Sequence, residues 1–145
     1  MVEALTRVAR ILERASPELS LSHYRVLTMV AAGNGRASRL AQRLALGKPA
    51  ISAAVDSLVA RGFIVRSSLD PDRRVTLLEI TAMGSTALAA AEAAMSAELA
   101  DLLRHAPDRA ATLVVLRNLS LALDGRQAAR DVGAAKARVE AGSSS

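Results

Sequence analysis

The sequence predicts a mainly α fold carrying one small β-hairpin, in the order α-α-α-α-β-β-α-α. Three observations lead there. Half of the 145 residues are hydrophobic, and these are mostly Ala, Leu and Val, the composition of helix-on-helix cores. Apolar residues recur at helical spacing along most of the chain. The period shortens to two only within residues 63–81, around a turn-forming stretch.

Each element has its own local reason. Residues 2–14 set Val2, Leu5, Val8, Ala9 and Leu12 on one face of a first helix, which Ser16-Pro17 breaks. Ser22 is a candidate N-cap for a second helix with Val26, Leu27 and Val30 inward, closed by Gly33-Asn34-Gly35. A short third helix covers residues 36–45, with Leu40, Ala41 and Leu44 inward. After the turn Leu46-Gly47-Lys48, Pro49 suits the first turn of a fourth helix, where its missing N–H has no partner to lose. This helix runs to Arg61 and stops at Gly62. "FIVRSS" and "VTLLEIT" then read as strands joined by "LDPDRR", whose Asp and Pro are turn formers. A long Ala-rich helix follows from Ser85 to Arg104, with Leu88, Ala91, Met95, Leu99 and Leu102 on its stripe. Pro107 opens the last helix, with Leu113, Leu116, Leu119 and Leu123 inward, and residues 131–145 read as a flexible tail.

The absence of cysteine excludes disulfides, thiolate chemistry and cysteine metal sites. The two histidines, His23 and His105, are 82 residues apart with no nucleophile motif beside either, so the chain is a poor enzyme and a poor metal binder. No cofactor is implied. A phosphate-binding loop also fails at the Gly47-Lys48 pair. Gln42 stands where its first glycine belongs, Pro49 where its hydroxyl belongs, and no strand leads in. Charges interrupt every apolar run and the N-terminus lacks a signal-peptide pattern, so the expectation is a cytoplasmic protein with no membrane partner.

The net charge of +5 is unevenly spread. Residues 36–74 hold eight basic and three acidic residues, a net +5, while residues 1–35 carry +1 and residues 75–145 carry −1. A basic excess confined to one segment is the electrostatic footprint of nucleic-acid binding. The third and fourth helices, with their three-residue turn, form a helix-turn-helix at 36–61, and the hairpin at 64–80 is a wing beside it. On the fourth helix Ile51, Ala54, Val55 and Leu58 face inward. Pro49, Ala50, Ala53, Asp56 and Ser57, flanked by Ser52, make an outward face of small side chains that lets a helix lie deep in a major groove. Arg73 and Arg74 at the hairpin tip suit a minor groove, and Asp72 is placed to brace one of them.

Residues 3–124 resemble the MarR-type winged-helix regulators, through "LAQRLALGKPAISAAVDSLVARGFIVR" and "DPDRRVTLLEITAMG". The latter looks like the family's wing signature: after Asp72, Arg73 and Arg74, six residues intervene before Thr81 and two more before Gly84. The resemblance implies a homodimer made by a first helix within residues 1–20 and by helices within 83–130, around a winged helix-turn-helix at 21–82. It implies double-stranded DNA with a pseudo-palindromic operator as partner, a repressor's function, and release by a small aromatic or acidic ligand. Matched position by position, Ser38, Arg39, Lys48, Pro49, Ala50, Ser52, Ala53, Arg73 and Arg74 are the DNA-binding candidates, and Asp56 and Asp72 brace the helix or wing. His23, Tyr24 and Arg25 fall near the family's ligand pocket. Ala53 departs from the family, which often places Arg there, and Arg39 stands where an acidic residue is common. The Ala53 departure leaves open a second reading: an architectural DNA-binding or interaction protein that lacks sequence choice and ligand response.

Overall fold

The computed structural model describes residues 2–36, 40, 43, 44, 47–68 and 76–142. They form α1 (Val2–Ala15), α2 (Leu21–Ala31), α3 (Lys48–Ala60), β1 (Ile64–Ser68), β2 (Thr76–Ile80), α4 (Ala82–Arg104) and α5 (Arg109–Gly142). Leu40, Arg43 and Leu44 are helical between α2 and α3. The hairpin tip with Asp72, Arg73 and Arg74 lies outside the described residues, as do Ser38 and Arg39.

α2 begins two residues earlier than its sequence suggests. Ser20, not Ser22, is the cap: its hydroxyl accepts from the His23 N–H at 3.2 Å. Glu13 of α1 reaches the same helix start, accepting from the Leu21 N–H at 2.9 Å. Val26, Leu27 and Val30 are buried as their spacing requires. α3 buries Ile51, Ala54, Val55 and Leu58, the four positions that share one side of a helical wheel. Leu19, Leu40, Leu44, Phe63, Ile64, Leu78, Ala91 and Met95 complete the same core.

β1 and β2 pair antiparallel, with Ile64 opposite Ile80, Arg66 opposite Leu78 and Ser68 opposite Thr76. The period of two therefore puts Ile64, Leu78 and Ile80 on the face toward the core. A feature absent from the sequence reading joins the other edge of β2. Arg36 bridges Leu77, and the Leu78 N–H donates to the Gly35 carbonyl at 2.8 Å. The stretch after α2 is thus a third extended segment of the sheet. Gly35 is required there, since a Cβ would lie 2.1 Å from the Leu78 carbonyl oxygen. Long-range strand pairing of this kind depends on where α2 ends in space, which no local periodicity encodes.

α4 starts at Ala82, not Ser85, because Thr81 caps it: its hydroxyl accepts from the Gly84 N–H at 3.0 Å. Asp108 does the same for α5, accepting from the Ala111 N–H at 2.9 Å, one residue beyond the Pro107 expected to open it. Residues 131–142, part of the tail expected to be flexible at 131–145, continue α5 to Gly142. Ala, Arg, Lys and Glu are strong helix formers, and together they outweigh the cost of an interior Gly133.

The chain divides into two compact units, residues 1–101 and 102–145. The core described above belongs to the first. In the second, α5 leaves Leu113, Val114, Val115, Leu119, Leu121 and Leu123 exposed. Leu113, Leu119 and Leu123 of the expected inward stripe are thus exposed. Val2 and Leu5 of α1 are exposed as well.

Candidate nucleic-acid interface

The outward face of α3 begins at its N-terminus. Gly47 occupies the cap position without a side-chain hydrogen bond, and Pro49 lies in the first turn. The free N–H groups and the positive end of the helix dipole are thus open to an anion. Lys48, Pro49, Ala50, Ser52, Ala53 and Asp56 are all exposed. Apart from Lys48 and Asp56 the face is made of small, uncharged side chains, which lets another surface approach closely.

Among the described residues, the cations of the basic segment differ in what the fold does with them. Arg61 is held by the fold: it donates to the Glu18 carbonyl at 2.6 Å, lies 3.7 Å from the Glu18 carboxylate, and its guanidinium stands 4.5 Å from the centre of the Phe63 ring. Arg43 donates to the Asn34 side-chain carbonyl at 2.7 Å. Lys48 and Arg36 are exposed. Arg66 crosses from β1 to pair with Asp56 on α3. Counting charge along the sequence treats all of these alike, whereas the fold uses Arg61 and Arg43 to tie segments together.

On the other face of the hairpin, the Ser67 hydroxyl donates to Glu79 at 2.7 Å, joining the strands. The Thr81 hydroxyl, besides capping α4, donates to the Gly62 carbonyl at 2.7 Å. Gly84 packs against the Phe63 carbonyl, where a Cβ would come within 2.0 Å. The Thr-x-x-Gly spacing therefore fastens the end of α3 and the root of the hairpin to the start of α4.

Residues 18–75 match the family model described as MarR family. A MarR-family transcriptional regulator from Rhodococcus sp. RHA1 superposes with a TM-score of 0.69 at 26% identity, over 83% of this chain and 85% of that one. Over residues 18–75 the chain is similar to the winged helix-turn-helix of the MarR family. The transcriptional repressor CouR bound to a 23-mer DNA duplex also matches, with a TM-score of 0.72 and 26% identity over 82% of this chain and 86% of that one. CouR from Rhodococcus jostii RHA1 bound to p-coumaroyl-CoA matches with a TM-score of 0.64 at 26% identity, over 83% and 85% of the two chains. No curated protein matches.

His23, Tyr24 and Arg25 lie near the start of α2. Tyr24 is half-buried and packs against the core. The Arg25 guanidinium donates to the Leu44 carbonyl at 2.8 Å, in the helical segment between α2 and α3. Burial first, and then the Arg61 charge, hold the His23 imidazole below its ordinary pKa, against a weaker opposing pull from Glu13. Among the described residues no cluster of His, Asp and Glu is arranged to hold a metal ion, and no helix is long and apolar enough to cross a membrane.

The sequence reading passed over Arg66 as a site residue. A signal was available: alternate residues of the strand face the core, and Arg66 stands two residues after the inward Ile64.

Proposed function

We propose that this protein is a cytoplasmic, homodimeric, sequence-specific regulator of transcription that binds double-stranded DNA, acts as a repressor and is relieved by a small ligand. The observation that carries the reading is the exposed, small-residue face of α3 opening at Lys48 and flanked by the hairpin. A helix of this kind fits a major groove, with Lys48 and the α3 N-terminus on a phosphate and Pro49, Ala50, Ser52 and Ala53 against base edges. Ser38 and Arg39 add further contacts to the duplex. Arg73 and Arg74, with Asp72 as brace, enter the flanking minor groove. The DNA-bound state of CouR supports this assignment.

Dimerisation answers the exposed apolar side chains of α1 and α5, which a symmetric second copy would cover. Two copies would present their α3 helices about 34 Å apart, one turn of a duplex. The CouR complex with p-coumaroyl-CoA supports a ligand-responsive role. In this chain the link from Arg25 to the Leu44 carbonyl offers the route. An acidic aromatic ligand that stacks on Tyr24 beside His23 and draws Arg25 to its carboxylate frees the end of the helix before α3.

A gel-shift competition tests the central reading. The protein should prefer duplex from its own promoter over random duplex by about 10³-fold. Equal displacement by random DNA would instead support the architectural reading, to which the small Ala53 side chain lends weight.

A further inference from the structure

The Asp56–Arg66 pair stands at an unusual place. Arg66 lies opposite Leu78, whose side chain is buried, so the hairpin directs Arg66 toward α3 and away from its own outer face. It lies one step beyond Ile64, where the core ends, and its side chain runs on to meet Asp56. Asp56 is four residues after Ser52 and three after Ala53, so all three share the outward face of α3. Both partners remain substantially exposed, with 47% of the Arg66 side chain and 63% of the Asp56 side chain open.

An acid on the outward face of a DNA-reading helix is repelled by phosphates unless a cation accompanies it. Arg66 is that cation, brought from a strand instead of from the helix. One of its Nη groups donates to Asp56 Oδ1, which holds the guanidinium plane and leaves further N–H donors available. Ala53, with its single methyl, puts no long side chain beside them.

Resting on the proposed DNA-binding role of α3, we infer that Arg66 reads a guanine in the major groove, with Asp56 as its positioning residue. The planar donor fork matches the O6 and N7 acceptors of guanine. The neighbouring carboxylate cancels the charge that would make a phosphate the stronger attraction. The arginine that α3 lacks at position 53 is in this way supplied by β1.

The test is selection of bound duplexes from a randomised pool by the full-length protein, with position-by-position preferences measured at fixed salt. Wild type should recover sites with one fixed guanine in each half. Arg66→Ala and Arg66→Lys should each lose about tenfold of the preference at that guanine and keep the preferences elsewhere. Asp56→Asn should relax the same position, with Asp56→Glu restoring part of it, which a merely structural role would not do. Circular dichroism identifies any variant that fails to fold, and the conservative lysine variant then carries the comparison. If the guanine preference survives Arg66→Ala and Arg66→Lys while wild type still selects sites, the inference fails and the DNA-binding reading stands. A uniform loss on all sequences, with the salt slope reduced by about one, makes Arg66 a phosphate contact and likewise overturns it. If wild type enriches no sequence, both readings fall together.

Discussion

Gly84 of α4 lies directly against the backbone of Phe63: a Cβ at Gly84 would stand 2.0 Å from the Phe63 carbonyl oxygen and 2.8 Å from its carbon. Such contact is possible only for glycine, and it places the base of the hairpin on the first turn of the long helix. Gly84→Ala should therefore destabilise the protein by at least about 2 kcal/mol, because the atom it meets belongs to backbone that cannot rotate away. Urea unfolding would show it as a lowered midpoint with an unchanged slope, and an unchanged midpoint would refute the packing argument.

Thr81 serves the same junction through hydrogen bonds, accepting from the Gly84 N–H and donating to the Gly62 carbonyl. Thr81→Ala should cost about 1–2 kcal/mol, the range for loss of a good N-cap, while Thr81→Ser should recover most of it. Equal losses for both variants in thermal melts would assign the effect to the methyl group rather than the hydroxyl.

Arg25 bonds the Leu44 carbonyl across 19 residues and so couples α2 to the helix-turn-helix. Arg25→Ala should lower stability by about 1 kcal/mol. It should also weaken DNA binding more than that modest loss of folded protein accounts for, as seen by fluorescence anisotropy on a promoter duplex. Affinity that tracks the folded fraction alone would remove Arg25 from the coupling.

His23 is held below its ordinary pKa, so the unfolded chain binds the proton more readily than the folded one. Its contribution to stability is fully present above the unfolded value near 6.5 and is lost as pH falls below that toward the folded value. On acidification from about pH 7.5 to 5.5, wild type should lose more stability than His23→Gln. Parallel losses in the two proteins would show that other groups govern the acid response.

Ser52→Ala and Arg74→Ala separate readout from attraction. Ser52 is exposed on the proposed reading face, so its loss should change sequence preference more than total affinity. Arg74→Ala should weaken binding to all duplexes and flatten the salt dependence by about one unit of slope. Unchanged affinity and slope for Arg74→Ala would exclude the wing from the mechanism.

Local pattern made much of this protein legible. The helical spacing of Ile51, Ala54, Val55 and Leu58 specifies both α3 and its buried face, and hence by exclusion the exposed one. The same is true of Val26, Leu27 and Val30 in α2, and of the strands around the turn-forming segment. These features arise between residues a few positions apart, where backbone geometry alone decides which side chains are neighbours. Helix boundaries were less legible, since Ser20 and Ser22 are equally able to cap and only the reach of Glu13 to Leu21 favours the earlier start.

The tertiary structure alone decided the partners of the arginines and the third segment of the sheet. A long flexible cation can meet any acceptor within several ångströms, so its role depends on which elements the fold brings near. Arg61 thus ties to Glu18, Arg25 to Leu44 and Arg66 to Asp56, over separations of 43, 19 and 10 residues. The pairing of Gly35 and Arg36 with β2 likewise awaits the docking of α2. Periodicity sets which side of an element is apolar, and only packing sets what stands opposite the rest.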